Sequence, residues 1–386
     1  METYFEIKLM TSTFFEKANV NQQLSEFVAK TDHLSMGDYT KKFEYEFARF
    51  HVRKHCVMVN SGSSANLVLL QALKNLGRLK AGSKIGVSAV TWSTNVMPLI
   101  QLGFEPVLID VAFGDVNMGV NELKQKIDSL AAVFVTNILG LNNQIELIKD
   151  LCIGKEIILL EDNCEALGCE TSAGLLGNFS LASTNSSFVG HHLSTIEGGY
   201  IFTDDDELCA MCKVVRAHGW TRNLSESERE LLKVPTVDSF LEKYLFVDLG
   251  FNVRPTDISA YCGILQLPFL NHYNSIRRDR YKIAKKSMPE AIYGTLPGTA
   301  AFAIPLRCKS RIHKRDVIKF LNEQRIENRP LVSGSMGKQP FWKNRYEECV
   351  LPNAEEIDDL ALYVSNDPQI NVEDFETLIQ KLRQVM

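Results

Sequence analysis

The sequence predicts an α/β protein, with a large domain built on a mostly parallel sheet flanked by helices and a small α+β domain at the C-terminus. Three observations predict it. From about residue 40, short runs that are apolar throughout alternate with helical patterns, and strands apolar on both faces belong to a sheet covered by helices on both sides. After about residue 275 the texture changes to a basic helix followed by mixed strand-like and helical stretches. The 386 residues also exceed one average domain, which suggests a large unit plus a smaller one. The expected division is an N-terminal arm over residues 1–35, a large domain over 36–270 and a small one over 271–386.

The elements follow in order. Phe43, Phe47 and Phe50 recur at helical spacing. A strand CVMVN (56–60), an apolar helix ANLVLLQAL, a strand KIGVSA and a helix near 95–102 come next. PVLIDV, a helix near 121–129, AVFVTN, a helix near 144–151 and EIILLED (156–162) continue the alternation. In such sheets ligands bind beyond the carboxyl ends of the strands, so functional residues should follow strands. Between about 205 and 245 the pattern turns helical and charged, and SESERELLKVP reads as a solvated loop or an excursion over a site. The small domain starts from SIRRDRYKIAKK and runs through AFAIPLRC, a helix near 313–323, RPLVSG and a final helix EDFETLIQKLRQV. The chain contains no internal repeat and no low-complexity segment.

Composition narrows the function classes. Apolar residues at 45% and charged residues at 23% suit a globular chain with a large core. A net charge of -5 gives no reason to expect nucleic acid or an anionic membrane as partner, so an anionic ligand needs a local site. Nine cysteines, odd in number and without framework spacing, point to a reducing, cytoplasmic setting. Cys209 and Cys212 lie in a helical stretch with no second pair nearby, a pattern of inward packing more than of metal binding. The N-terminus lacks a basic region followed by an apolar run, and no apolar run reaches the roughly 20 residues of a membrane span.

Three segments carry the chemistry. Asn60–Asn66 (NSGSSAN) joins a strand to a helix. Its small residues, free N–H groups and hydroxyls fit a phosphate turn, and equally a plain turn with a capping serine. Glu161–Ala166 (EDNCEA) ends an apolar strand. Asp162 there needs a cationic or hydrogen-bonding partner, either a protonated pyridine nitrogen or the start of a helix. Ser186–Gly199 (SSFVGHHLSTIEGG) carries His191 and His192. Adjacent histidines seldom face one metal and no third ligand stands at a recognisable spacing, so no metal is expected. His191, titrating near neutral pH, suits a general base or acid.

Together these segments resemble the fold-type I sugar aminotransferases and dehydratases, enzymes of aspartate-aminotransferase-like fold that depend on pyridoxal phosphate (PLP). The shared marks are an S-G-[ST]-[SA]-A turn, an E-D-x-x-[EQ]-A strand end and an S-F-x-x-[KH]-x(5)-E-G-G segment. Thr91–Thr94 (TWST) resembles the family's aromatic segment, and Gly250–Pro255 (GFNVRP) its G-[YF]-N-x-R segment. The resemblance spans roughly residues 30 to 385. The family's aminotransferases have a lysine at the position of His191, bonded covalently to the cofactor; histidine marks the 3-dehydratases, which hold PLP or its amine form, pyridoxamine phosphate (PMP), non-covalently. WST at 92–94, LLEDNCE at 159–165, GHH before STIEGG and RAHGWTRN at 216–223 resemble the branch acting on GDP-4-keto-6-deoxymannose in colitose and lipopolysaccharide O-antigen synthesis. Relatives acting on CDP-sugars carry extra cysteines; this chain lacks such a cluster, so no iron–sulfur cluster is expected.

The resemblance implies roles. Gly62, Ser63 and Ser186 would bind the cofactor phosphate, with Ser64 as a further donor and Asn252 arriving from the neighbouring subunit of a homodimer. Trp92 would lie on the ring, Asp162 would pair with its nitrogen, and Glu165 would stand near its hydroxyl. His191 would be the catalytic group. His218, Arg222, Arg254 and Arg329 would meet the nucleotide-sugar substrate. The implied reaction removes the C3 hydroxyl of a nucleotide-linked 4-keto-6-deoxyhexose, with glutamate regenerating PMP. The alternatives are a nucleotide-sugar aminotransferase that lacks the Schiff-base lysine and a non-catalytic sensor of a nucleotide sugar.

Overall fold

The computed structural model describes residues 5–142, 144–294 and 298–386; residues 1–4 of the expected arm lie outside this range. Seven strands make the main sheet: β1 (His55–Val59), β2 (Lys84–Ser88), β3 (Glu105–Ile109), β4 (Ala132–Thr136), β5 (Ile158–Asp162), β6 (Ala182–Ser186) and β7 (Gly199–Thr203), in spatial order β1-β7-β6-β5-β4-β2-β3. The run from β6 through β5, β4 and β2 to β3 is parallel, and β7 alone runs antiparallel to β6 and β1. Six carboxyl ends therefore share one edge, where the sequence places its functional segments.

The apolar runs have a direct cause. In β4, Ala132 and Phe134 pack into the core on one side of the sheet while Val133 and Val135 pack into a second core on the other. With helices on both faces, neither face of the strand can be polar. β6 breaks the pattern: ASTNS is polar yet buried throughout, and its apolar-run signal is missing from the sequence. Thr184 replaces apolar packing with a hydrogen bond, its Oγ1 donating to Asn66 Oδ1 at 2.6 Å.

The helices used below are α1 (Lys17–Lys30), α2 (Asp38–Phe50), α3 (Gly62–Asn75), α4 (Ser93–Gln101) and α5 (Asp257–Gln266). Within the expected arm, residues 7–11 run along the small sheet: Ile7 bridges to Ile326 and the Leu9 N–H donates to Glu327 Oε2 at 2.9 Å. α1 then packs on α5, with Phe27 stacked on Tyr261 at 4.3 Å. Its residues are mostly polar and its helicity draws on this tertiary packing, so the sequence reading contained no helix there. The stretch read as a solvated loop, SESERELLKVP, contains a short helix, Glu226–Leu231, opened by a capping box of Ser225 and Glu228.

The C-terminal part carries its own three-stranded antiparallel sheet, β8 (Ala303–Arg307), β9 (Asn328–Pro330) and β10 (Ala361–Ser365), in order β8-β10-β9. A long helix, Leu270–Ser287, leads to it, and Arg277 ties the two by donating to the carbonyls of Phe302 (3.1 Å) and Asn366 (2.9 Å). No helix among the described residues is long and apolar enough to cross a membrane.

One long-range cap holds the N-terminal layer. α2 begins after Gly37, which has no side chain to cap it. Asp257, first residue of α5, accepts from the N–H groups of Gly37 (2.8 Å), Tyr39 (3.3 Å) and Thr40 (2.9 Å) and from the Thr40 hydroxyl (2.6 Å). A carboxylate at a helix start satisfies orphan donors and meets the positive end of the dipole. Asp257→Ala is expected to cost about 2–3 kcal/mol, read from urea unfolding midpoints; a loss below about 0.5 kcal/mol, the size of an ordinary surface change, would refute this cap.

Candidate active site

A cavity of about 430 Å³ opens at the carboxyl edge of the main sheet. One wall is the turn from β1 into α3. Ser61 is the helix cap, its hydroxyl accepting from Ser64 N at 3.1 Å and donating to Ser64 Oγ at 3.0 Å. The capping reading of this serine-rich turn is thus realised in the same residues that leave the first-turn N–H groups of Gly62 and Ser63 free at the cavity. A Cβ at Gly62 would come within 2.7 Å of Ser186 Cβ and 3.1 Å of Cys164 Sγ, so only glycine lets the turn close on β6. Ser61, Gly62, Ser63 and Ser186 line the cavity; Ser64, spent on the cap, does not.

Asp162 ends β5 at 4% exposure. Its Oδ2 accepts from Asn66 Nδ2 at 2.8 Å and Asn95 Nδ2 at 2.7 Å, and its Oδ1 from the Cys164 N–H at 2.9 Å. Asn66 and Asn95 went unremarked in the sequence. Asn66 sits one turn after Gly62 and Asn95 three residues after Trp92, but only the fold shows that both converge on one carboxylate. Glu161, on the opposite face of β5, accepts from Asn137 Nδ2, Gly177 N, Phe179 N and Ser180 Oγ, all at 2.8–2.9 Å, which anchors the strand end.

Glu165 follows one turn later, half-buried at the cavity wall. Burial pushes its carboxyl up to about 7, the nearby charge of Asp162 adds to the rise, and the Leu139 N–H, donating to Oε2 at 3.0 Å, opposes it. Leu139 supplies that N–H from a left-handed backbone at φ 53°, unusual for leucine.

His191 rides on a loop between β6 and β7 pinned by Ser187 N to Gly198 O (2.9 Å), Thr195 N to Ser187 O (2.9 Å) and Val189 N to Ile196 O (3.1 Å). Its ring stands edge-on to Phe188 and Phe302, at 5.9 and 5.6 Å, and its Nδ1 is buried without a hydrogen-bond partner. Burial lowers its pKa to about 4, against the pull of Asp162 and the Ser186 backbone. His192 turns away, its Nε2 at 2.8 Å from the Ala300 carbonyl oxygen. Among the described residues no group of three His, Cys, Asp or Glu is placed to hold a metal.

The structure thus brings Gly62, Ser63, Trp92, Asp162, Glu165, Ser186 and His191 around one cavity, with Phe302, Val332 and Tyr363 reaching in from the small sheet's side. The other sequence candidates stand outside it. Asn252 is exposed, its Oδ1 accepting from Arg254 Nε at 3.0 Å, and Arg254 lines an adjoining hollow that shares Glu197 with the main cavity. His218 is exposed; Arg222 lies 5.1 Å over the ring of Trp220, which stacks on Tyr244. Arg329 pairs with Glu327 at 2.5 Å, directly across the strand pair from Tyr363. The described lining includes Asp162, Glu165 and Glu197 and no lysine or arginine.

Comparison with known proteins decides the family. Residues 16–383 match the DegT/DnrJ/EryC1/StrS aminotransferase family. The chain belongs to it. This family member is 37% identical over 344 residues to GDP-4-keto-6-deoxy-D-mannose 3-dehydratase of Escherichia coli O55:H7, covering 86% of the chain and 88% of that protein. It is 34% identical to the 3-dehydratase of the same description from Yersinia pseudotuberculosis, covering 93% of each. The solved E. coli GDP-4-keto-6-deoxy-D-mannose-3-dehydratase with bound hydrated PLP superposes with a TM-score of 0.91 at 32% identity, over 98% of this chain and all of that one.

The residues of this family member fit PLP. Gly62 leaves room for close approach, the free N–H groups of the α3 start suit a phosphate, and Asp162 can accept a ring N–H in place of the weak Cys164 thiol donor. Trp92 offers an apolar face at the mouth, 57% exposed.

The titration of Glu165 has a sign that can be tested. From its ordinary value of 4.5 to about 7, the folded chain holds a proton that the unfolded chain has released, so stability falls as pH rises through that window. Glu165→Gln lacks this loss. Relative to wild type, the variant is expected to gain up to about 3 kcal/mol between the acid and alkaline ends of the window, measured by urea midpoints without cofactor. A pH-independent difference would show that Glu165 titrates normally.

Proposed function

We propose that this protein removes the C3 hydroxyl from a nucleotide-linked 4-keto-6-deoxyhexose, as a PLP/PMP-dependent 3-dehydratase, with glutamate as amino donor. The observation that carries the reading is the cavity wall itself: His191 stands there beside Asp162, and no lysine is among the described lining residues. Both curated relatives cited above are GDP-4-keto-6-deoxy-D-mannose 3-dehydratases, and solved forms of such a dehydratase carry bound GDP-perosamine or a trapped PLP–glutamate adduct. GDP-4-keto-6-deoxymannose is accordingly the substrate we infer.

Bound in this cavity as the amine, the cofactor supplies a nitrogen that joins the C4 ketone and a ring that draws electrons from the adjacent carbon. Gly62 and Ser63 N–H groups, with the Ser63 and Ser186 hydroxyls, hold the phosphate. Trp92 would cover the ring face, and Asp162 Oδ1 would accept from the ring nitrogen. Glu165, whose burial keeps a proton on its carboxyl up to about pH 7, would sit beside the ring, able to donate a hydrogen bond when protonated.

His191 moves the proton. Held neutral by burial, its imidazole accepts a proton from the carbon bearing the cofactor's amine. The same burial makes the resulting imidazolium a strong acid, well suited to protonate the C3 oxygen as it leaves as water. A lysine would bind the aldehyde form covalently; histidine leaves the site free to turn over by this route. Hydrolysis gives the 3-deoxy-4-keto sugar and ammonia, and glutamate leaves as 2-oxoglutarate.

We further propose a homodimer with shared sites, working in the cytoplasm. Phosphate, nucleotide and glutamate are anionic, yet the described cavity lining has three carboxylates and no cation. Asn252 and the arginines at 222 and 254 lie outside their own cavity, where a neighbouring subunit could use them. Phe240, Tyr244, Phe246 and Leu249 form an exposed apolar stretch of the kind a partner covers. All nine cysteines are free.

With GDP-4-keto-6-deoxymannose, PLP and glutamate, mass spectrometry should find a product lacking the C3 oxygen, together with ammonia. His191→Asn should lower turnover by about 10²–10⁴ while leaving cofactor affinity nearly unchanged. A product that keeps its C3 oxygen and gains nitrogen at C4 would make the protein an aminotransferase.

Mixing inactive His191→Asn and Asn252→Ala chains should restore up to about a quarter of wild-type activity, because each mixed dimer regains one intact site. No recovery after confirmed chain exchange would place Asn252 outside the neighbouring site.

A further inference from the structure

We propose that Asn66 and Asn95 are positioning residues that act through Asp162, making its carboxylate an acceptor on one side only. The proposal rests on the reading that Asp162 meets the cofactor's ring nitrogen. A carboxylate offers about four acceptor positions. The amides of Asn66 and Asn95, at 2.8 and 2.7 Å, take both on Oδ2, and the Cys164 N–H at 2.9 Å takes one on Oδ1. One position remains, and the Cys164 thiol, a weak donor that also hydrogen-bonds this carboxylate, would give way there to a ring N–H.

The two amides are themselves held in orientation. Thr184 Oγ1 donates to Asn66 Oδ1 at 2.6 Å, and the second Asn66 N–H reaches the Thr94 carbonyl at 3.2 Å. Thr91 Oγ1 donates to Asn95 Oδ1 at 3.0 Å and lies 2.6 Å from Thr136 Oγ1. A turned amide would set oxygen against the carboxylate and leave the threonine hydroxyl without its acceptor. Both asparagines are fully buried, so water cannot substitute for the lost bonds.

The clamp has two consequences. Three N–H donors spread the charge of the carboxylate, so a proton shared with a ring nitrogen stays on the nitrogen, the state in which the ring withdraws electrons. Asn66 belongs to the helix whose first turn faces the phosphate, and Asn95 to the helix that follows Trp92. One carboxylate thereby ties together the three elements that would grip phosphate, ring face and ring nitrogen.

The test uses full-length protein loaded with PLP labelled with ¹⁵N in the ring, read by NMR at neutral pH, together with PLP affinity. In wild type the nitrogen should be protonated. In Asn95→Leu, close in size but without a donor, the signal should move toward the unprotonated position, and PLP should bind on the order of tenfold more weakly. A folded Asn95→Leu with wild-type signal and affinity overturns the proposal, since a merely structural role would lower only the unfolding temperature. If that variant does not fold, Thr91→Val decides: freeing the Asn95 amide should shift the signal the same way, and no shift overturns the clamp. Asp162→Asn separates the two readings. If the nitrogen stays protonated there as well, the pairing of Asp162 with the ring has failed, and the clamp has no object.

Discussion

Most of what this site can do depends on a charge-bearing group, the carboxylate of Asp162, placed where water scarcely reaches. Burying such a group without donors would cost several kcal/mol or force it to hold a proton. The fold answers with N–H groups from the starts of α3 and α4 and from the residues after β5. These are the segments that follow β1, β2 and β5, so the requirement of one carboxylate fixes the spacing of three loops. The cavity forms between them.

Enclosure then sets the chemistry of the neighbours. The same exclusion of water raises the Glu165 carboxyl to about 7 and lowers His191 to about 4, so near pH 7 His191 is neutral and Glu165 is poised between its two forms. The described lining has no cation of its own, and on the proposed function, whose ligands are anionic, the surface where Arg222, Arg254 and Asn252 lie gains a role.

How legible the molecule was from its residues follows packing. β1 to β5 were read within a few residues because each is buried on both faces, and burial on both faces leaves no alternative to an apolar run. β6 was not read. Its ASTNS is polar and yet buried, with Thr184 hydrogen-bonded to Asn66, distant in sequence, and local pattern carries no trace of such a partner. α1 escaped for a similar reason, since its order comes from contact with α5. The short helix at Glu226–Leu231 was legible in principle, for the S-x-x-E cap was present, but its charged face suggested solvated loop.

By itself the sequence determined the fold class, the family and the residues around the cavity that end strands or open helices: Gly62, Ser63, Trp92, Asp162, Glu165, Ser186 and His191. Most of these lie at or near an element boundary, with His191 in the loop after β6, and a boundary in a parallel sheet is a position in space as well as in sequence. Only the tertiary structure decided which groups Asp162 binds, that Ser64 serves the cap while Ser61 faces the cavity, and that His192 points away from His191. It also decided that the candidate arginines and Asn252 stand outside their own chain's cavity. These depend on where side chains from separate strands and helices converge. That convergence is fixed by packing and by the cost of burying donors and acceptors such as those around Asp162 unpaired, a condition on the whole chain that no local stretch of sequence states.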